Sequence, residues 1–203
     1  MRKNHVYVGL ALLVVTVLAV GCAKPPQAEI DGLKAAMAAA EQAEAGKYAA
    51  DALDAANQAM NAVNAELQAQ EAKFALFRSY TKTKQLIGDA MTAAQNAQQA
   101  AVEGKERAKN EAQAAIDAVK AAVTSATDTM AALAKCPRKP KDFKKDMEMM
   151  KGNLDTYSAQ VTEIEGAFGR EDYLGAKASA DTLKGQLDAM INDMMAAKAK
   201  MRC

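Results

Sequence analysis

Sulfur-containing side chains supply most of the possible chemistry in this chain. Its 203 residues include three cysteines, twelve methionines and a single histidine, His5. Histidine is the commonest general base near neutral pH and the commonest metal ligand. His5 lies in the segment that is predicted below to be removed, which would leave the mature chain without histidine. The sequence has no phosphate-binding glycine loop, no Gly-x-Ser-x-Gly turn and no Cys-x-x-Cys pair. We therefore expect a protein that is not an enzyme and has no catalytic residues.

The first cysteine, Cys22, follows a segment typical of a secretion signal. Residues 1–3 are Met-Arg-Lys, and residues 6–21 form an uncharged run of about 16 residues, shorter than the roughly 20 that a membrane-spanning helix needs. Residues 18–21, Leu-Ala-Val-Gly, resemble the lipobox of bacterial lipoproteins. This resemblance implies that residues 1–21 are a signal peptide and that Cys22 becomes the acylated, palmitate-bearing first residue. An uncleaved membrane helix is the alternative.

The residues after Cys22 predict where the lipid anchor holds the protein. Ala23 stands where an aspartate would resemble an inner-membrane retention signal. We therefore expect lipid anchoring to the outer membrane, on its periplasmic side. Residues 22–26 form a short tether ending in two prolines, which are suited to the start of a helix.

The other two cysteines, Cys136 and Cys203, are predicted to form a disulfide. They lie 32 residues before and 35 residues after a helical turn near Phe168. Two antiparallel helices of nearly equal length bring such ends together, and a secreted protein meets an oxidising environment. Two separate thiols, or an intermolecular bond through Cys203, are the alternatives.

Methionines gather near the same two cysteines. Met147 and Met150 begin one predicted helix, and Met190 and Met194 are near the end of the next. Thioether and thiolate sulfurs are soft ligands that suit Cu(I), so these residues are an alternative metal site. All four also fall on the apolar stripes of their helices, where methionine is an ordinary core residue. Core packing is the leading interpretation, and no metal or cofactor beyond the lipid on Cys22 is expected.

Composition predicts an all-α protein. Alanine accounts for 48 of the 203 residues, tryptophan is absent, and aromatic residues make up 4%. Alanine is the best helix former, whereas strands favour the β-branched and aromatic residues that are scarce here. Apolar residues recur every three or four positions, which is typical of helices packed along a seam. The predicted helices cover about residues 27–45, 48–70, 74–133, 143–168 and 173–201.

The spacing of apolar residues also predicts helix boundaries and buried positions. Gly46 is predicted to end the first helix, and a bend is placed at residues 70–73. The third helix is predicted to carry Leu76 and, after one extra residue in its repeat, Ala115 on its buried stripe. Tyrosines 48, 80 and 173 each follow a turn, and their rings are expected to close an alanine seam while their hydroxyls stay in water.

The lengths of the helices predict an elongated antiparallel bundle. The first two helices match the first half of the third, and the last two match its second half. We therefore expect two three-helix bundles that share one long helix, similar to spectrin repeats. The predicted domains are an N-terminal bundle at residues 27–104 and a C-terminal bundle at residues 105–203.

Charge argues against nucleic acid as a partner. Removal of residues 1–21 takes two of the 26 basic residues and leaves 24 against 25 acidic ones. Nucleic-acid binding depends on clustered lysine and arginine, and this balance gives no general attraction. A local basic excess surrounds the loop after Cys136; it is either a solvated surface or a contact for anionic lipid, cell-wall polymer or an acidic partner. The excess comprises Lys135, Arg138, Lys139, Lys141, Lys144 and Lys145.

Three features carry a resemblance to a known group of proteins. They are the lipobox ending at Cys22, the Ala-Glu-Ala-Gly-Lys-Tyr turn at residues 43–48 and the Phe-Arg-Ser-Tyr segment at residues 77–80. Over most of its mature length the chain resembles the alanine-rich helical lipoproteins of a bacterial domain-of-unknown-function family. The resemblance implies an envelope lipoprotein and brings no catalytic residues with it.

We therefore expect a non-catalytic helical spacer or docking scaffold. It would bind the membrane through its lipid, and a protein partner or a second copy through its helix faces. The alternative is a binding module for copper or a small hydrophobic ligand at the Met- and Cys-rich end.

Overall fold

The computed structural model describes residues 23–203, and helices without any strand make up this part of the chain. The predicted signal peptide and the acylation of Cys22 lie outside the described residues. The prediction of an all-α helical bundle is confirmed. The helices are α1 (Gln27–Gln42), α2 (Ala45–Tyr48), α3 (Ala50–Glu71), a 3-10 turn (Ala75–Phe77), α4 (Thr81–Ala134), α5 (Phe143–Gly169) and α6 (Tyr173–Lys200).

The chain divides into two compact units after Val102. Helix α4 contributes residues 81–102 to the first unit and residues 103–134 to the second. Each unit has its own buried residues.

The first unit packs α1, α3 and the beginning of α4 around a core made largely of alanine. Small side chains let the helices approach closely, and few large side chains add apolar area. Glu29 of α1 and Glu66 of α3 pair with Lys84 and Lys82 near the start of α4. The start of α1 therefore lies at the same end of the unit as the end of α3. The core contains Leu33, Met37, Ala40, Ala45, Ala56, Val63, Ile87, Ala90, Ala94, Ala97 and Ala101.

The first helix ends earlier than predicted, and Gly46 does not end it. Glu44 adopts the left-handed conformation with φ 61°, and Gly46 lies inside the short helix α2. The backbone N–H of Glu44 donates to the Glu41 carbonyl at 2.9 Å, which satisfies part of the helix end. A left-handed residue commonly follows a helix and is usually glycine, but here Glu44 takes that position.

The third predicted helix starts later than expected. Helix α3 ends at Glu71, within the predicted bend, but α4 begins only at Thr81. Leu76 lies in the 3-10 turn and is exposed, so its predicted place on the buried stripe is wrong.

The second unit contains the later part of α4 and the hairpin of α5 and α6. The stripe predicted for the last helix is buried along its whole length, from Tyr173 and Ala176 to Met194 and Met201. On α4 the buried residue after Ala112 is Ile116, and the predicted Ala115 is only half-buried. Buried positions at 108, 112 and 116 follow successive four-residue steps. Each of these steps turns about 40° past a full helical turn, whereas the predicted three-residue step from Ala112 to Ala115 falls about 60° short of one.

A three-residue turn joins α5 to α6. Glu171 takes the left-handed conformation with φ 63°, and its backbone N–H donates to the Phe168 carbonyl at 3.0 Å. The Phe168 and Tyr173 rings pack edge to face, with centroids 5.1 Å apart. Glu171 also pairs with Lys105 of α4 at 2.7 Å. The turn is therefore fixed both locally and against the neighbouring helix.

Candidate functional site

The loop between α3 and α4 exposes three large apolar side chains. Phe74, Leu76 and Phe77 are 70%, 62% and 75% exposed. The two phenylalanine rings lie 6.3 Å apart between centroids. The backbone N–H of Phe77 donates to the Phe74 carbonyl at 2.8 Å and closes the 3-10 turn. We call these three side chains the apolar tip.

Arg78 holds the backbone of this loop in place. Its Nε donates to the Lys73 carbonyl at 3.0 Å, and its Nη2 donates to the Glu71 carbonyl at 2.8 Å. Both carbonyls lie at or just beyond the end of α3, where the helix itself supplies no partner. A charged donor makes such hydrogen bonds stronger than neutral ones. Arg78 thus caps the C-terminal end of α3, and the apolar tip lies in the segment between the capped carbonyls and Arg78.

Gln70 fixes the other side of the loop. Its side chain is buried, and its Oε1 accepts a hydrogen bond from the Ser79 backbone N–H at 3.0 Å. Its Nε2 donates to Glu66 Oε1 at 2.7 Å. Glu66 Oε2 pairs with Lys82 Nζ, also at 2.7 Å. This network joins the last turns of α3 to the first turn of α4.

Glu66 is stabilised in its charged form. The hydrogen bond from Lys82, followed by that from Gln70, lowers the pKa of Glu66 from its usual 4.5. A carboxyl whose folded-state pKa is lowered contributes stability above its unfolded-state value and loses it as pH falls through the folded-state value. The network should therefore weaken only in acid.

We expect Glu66→Gln to flatten the acid dependence of stability. Between about pH 6 and about pH 3 the native protein should lose more unfolding free energy than the variant, because only the native chain must protonate this paired carboxylate. Urea denaturation followed by circular dichroism at several pH values measures the difference. Parallel pH curves for the two proteins would contradict the assignment.

The chain enters the first unit beside the same loop. Ala23 and Lys24 line a surface pocket of about 630 Å³ together with Arg78, Ser79 and Tyr80. Pro26 is already buried, so the described part of the tether is exposed only at residues 23–25. In the sequence, Cys22 directly precedes Ala23, the first residue that lines this pocket.

Two buried hydroxyls lie at this end of the unit. Tyr80 and Thr83 are buried, and neither hydroxyl has a hydrogen-bond partner among the described residues. The same holds for the hydroxyl of half-buried Tyr48. The prediction that these tyrosine hydroxyls stay in water is therefore wrong for Tyr48 and Tyr80. In both residues the hydroxyl oxygen itself is buried.

We expect Thr83→Val to stabilise the first unit. Thr83 has no exposed surface, and removal of a buried hydroxyl without a partner should gain about 1 kcal/mol. Thr92→Val is the matched control on the same helix, because Thr92 Oγ1 donates to the Gly88 carbonyl at 3.0 Å and is exposed. Urea denaturation of both variants measures the change. A loss of stability in Thr83→Val would mean that its hydroxyl has a partner in solution.

Cys136 and Cys203 meet, as the lengths of the two hairpin helices predicted. Their Cα atoms are 5.5 Å apart and their sulfurs lie at disulfide-bonding distance. Cys136 is buried, whereas Cys203 is exposed. A disulfide here would link the chain after α4 to the C-terminus and enclose the α5–α6 hairpin.

The methionines at the same end are divided between core and groove. Met150 and Met190 line a groove of about 450 Å³ between α5 and α6, together with exposed Met149. Met194 is fully buried and Met147 is half-buried. The structure therefore places Met150 and Met190 on one groove and packs Met194 in the core. With both cysteines paired, the groove offers thioethers but no thiolate.

The charged groups with shifted pKa values all favour their charged forms. Partner lysines lower the pKa of Glu66 and Glu171, and partner carboxylates raise the pKa of Lys120 and Lys177. A general acid or base near neutral pH needs a shift in the opposite direction. Hydrogen bonding to its own backbone and to Lys84 likewise lowers the pKa of Glu29. These groups act as surface ion pairs.

The described residues offer neither a metal cluster nor a membrane span. Between residues 23 and 203, no group of three histidine, cysteine, aspartate or glutamate side chains could hold a metal ion. Across the same range, no helix combines the length and the apolar character needed to cross a bilayer.

Comparisons with known proteins identify no relative. No family model, curated protein or solved structure matches the chain.

The apolar tip is the feature that sequence reasoning missed. The heptad pattern assigned Leu76 to a helix stripe, although Phe74 and Phe77 flank it and cannot share that face with it. The signal that could have revealed the loop is Gln70 at a buried helical position, followed eight residues later by Arg78. Both side chains satisfy backbone groups that a continuous helix would have paired internally.

Proposed function

We propose that the protein is a non-catalytic lipoprotein that serves as a spacer or docking scaffold on the periplasmic side of the outer membrane. Lipid on Cys22 would anchor it, and a protein partner or a second copy would bind its helix faces. The observation that carries the proposal is the burial of Pro26, four residues after Cys22. The tether is so short that an acylated cysteine would hold the first unit directly at the bilayer.

The rest of the described chain supports a scaffold. Its helices bury alanine seams, and their outer faces carry lysine–carboxylate pairs such as Lys151–Asp155 and Lys184–Asp188. Two grooves between α5 and α6 are lined by a mixture of polar and apolar side chains, among them Gln160, Leu183 and Met190. Such faces can be recognised along their length by another helix.

The anchor can be tested in a Gram-negative host. We expect the full chain to be cleaved before Cys22, to carry acyl chains on that residue and to fractionate with outer membranes. Mass spectrometry of the N-terminal peptide and density-gradient fractionation measure both results. The Cys22→Ser variant is the control and should be neither acylated nor retained in the outer membrane. An unprocessed or unmodified native chain would overturn the anchor.

The docking role needs a separate measurement. A photo-crosslinking residue at exposed Gln68 of α3, Thr124 of α4 or Thr182 of α6 should capture discrete species in living cells. Capture that depends on Cys22 would support a partner at the membrane, and a product of twice the monomer mass would identify a second copy. Absence of any discrete product at all three positions would contradict docking through these faces.

Binding of a soft metal or a small hydrophobic ligand is a second candidate, because Met150 and Met190 line the same groove. Titration with Cu(I) under anaerobic conditions tests the metal. Stoichiometric binding that is lost in Met150→Leu/Met190→Leu would support a thioether site, since leucine keeps the volume and removes the sulfur. Equal behaviour of variant and native protein would leave these methionines as packing residues.

A further inference from the structure

The apolar tip is an exposed surface that the fold of the first unit does not use. Folding normally removes large apolar side chains from water, yet Phe74, Leu76 and Phe77 are each more than half exposed. The other exposed large apolar residues of the described chain, Val102, Met149, Leu174 and Met195, are dispersed along the helices. Three of the four residues at 74–77 are exposed and apolar, so they form a local patch.

Side-chain hydrogen bonds fix the backbone beneath this patch. Arg78 binds two carbonyls and Gln70 binds the Ser79 N–H, so the loop has a defined course. The apolar side chains of the loop are exposed, while the carbonyls of Glu71 and Lys73 and the backbone N–H of Ser79 are hydrogen-bonded within the unit. Because this backbone is already ordered, binding through its apolar side chains would cost little additional conformational entropy.

The loop that carries the apolar tip lies beside the first described residues of the chain. Arg78 and Ser79 share a pocket with Ala23 and Lys24, the first described residues. Cys22 directly precedes Ala23 in the sequence. A lipid on Cys22 would bring a bilayer to this end of the first unit. This step rests on the proposed lipid anchor.

Charge around the patch also fits a lipid surface. Lys73 and Arg78 flank the apolar tip in the sequence, and Lys24 lines the same pocket as Arg78. Glu71 is the carboxylate nearest to the tip along the chain. Of the further carboxylates at this end, Glu29 and Glu66 are paired with Lys84 and Lys82, and Asp31 accepts a hydrogen bond from Gln27. Phosphate headgroups attract such basic residues, and phenylalanine and leucine partition into the boundary below them.

We propose that Phe74, Leu76 and Phe77 insert into a phospholipid bilayer beside the anchored N-terminus. The lipid on Cys22 supplies attachment, and the apolar tip supplies a second point of contact. Two contacts at one end of the first unit hold that end against the membrane and direct the α1–α3 turn away from it. The anchor alone would leave the unit free to rotate about its tether.

Tryptophan fluorescence tests this insertion, because the chain contains no tryptophan. Phe77→Trp places the only indole in the apolar tip, and Asn57→Trp places one at an exposed position of the same unit, in the half of α3 farther from the tip. The protein recovered from envelopes is reconstituted into vesicles of phosphatidylethanolamine and phosphatidylglycerol with brominated acyl chains. We expect the indole of Phe77→Trp to shift to shorter wavelength and lose at least about half its emission, since inserted groups lie roughly 5–10 Å into the boundary region. The indole of Asn57→Trp should show neither change.

A second preparation separates this proposal from the anchor itself. The unacylated mature chain is coupled through the Cys22 thiol to a maleimide lipid, so attachment no longer depends on natural acylation. Insertion of the Phe77→Trp indole in these vesicles would support the apolar tip even if the native chain proved unmodified. Addition of Phe74→Ser/Leu76→Ser should restore most of the lost emission.

One result would overturn the proposal. If the indole of Phe77→Trp keeps the emission and bromide exposure of an indole in water on both kinds of vesicle, the apolar tip does not enter lipid. Crosslinks from position 77 to a discrete protein in cells would then assign the patch to a protein partner.

Discussion

Cys203→Ser should lower the free energy of unfolding of the second unit by about 4 kcal/mol, the chain-entropy value for a cross-link closing a loop of this length. Cys136 and Cys203 are separated by 67 positions, and their sulfurs lie at bonding distance. The exposed Cys203 is the better one to replace, because its side chain fills no core. Cys136 would remain as a buried thiol, which apolar surroundings tolerate. Urea denaturation followed by circular dichroism measures the loss.

Reductant provides the control for this prediction. Treatment of the native protein should reproduce the midpoint of Cys203→Ser, whereas the variant should not respond. Intact-mass analysis should show the native chain gaining two hydrogen atoms on reduction. A native protein that denatures identically with and without reductant would contradict a stabilising disulfide.

Leu33→Ala should destabilise the first unit by about 3 kcal/mol, within the usual range for leucine truncation in a core. Leu33 has no exposed surface, and it is one of the few large side chains among the alanines of this core. Its neighbours are short and held close by helix packing, so they cannot move far to fill the space. Chemical denaturation of the variant measures the change.

Leu76→Ala is the matched control in the same unit. The same atoms are removed, but Leu76 is 62% exposed in the 3-10 turn, so the change should stay within about 0.5 kcal/mol. If Leu76 instead lay on the buried stripe that the heptad pattern predicts, the two variants would lose similar amounts. The pair therefore tests both the core and the loop.

Much of the architecture could be predicted from the sequence. Helix class follows from alanine content, and the buried faces follow from spacing, as the stripe from Tyr173 to Met201 shows. Both are properties of neighbouring residues on one helix. The meeting of Cys136 and Cys203 also follows, because two helices of similar length joined by a short turn return to their starting point.

The errors occur where distant groups compete with the local pattern. The sequence around Leu76 continues an apolar period, but Arg78 and Gln70 take backbone groups that a continuous helix would use. Ile116 replaces Ala115 in the core, since the stripe must follow the partner helices. Glu44, rather than Gly46, takes the left-handed conformation. Glycine is the residue that usually adopts it, so the sequence alone does not point to Glu44.

The candidate site shows the same division. By itself the sequence determined the helical class and the cysteines that meet, because these depend on composition and spacing along the chain. The lipid anchor on Cys22 stays a prediction. Only the tertiary structure decided that the apolar tip is exposed and lies beside the entry of the chain. Exposure and proximity depend on how α1, α3 and α4 pack, and that packing joins residues about fifty positions apart, such as Lys24 and Arg78.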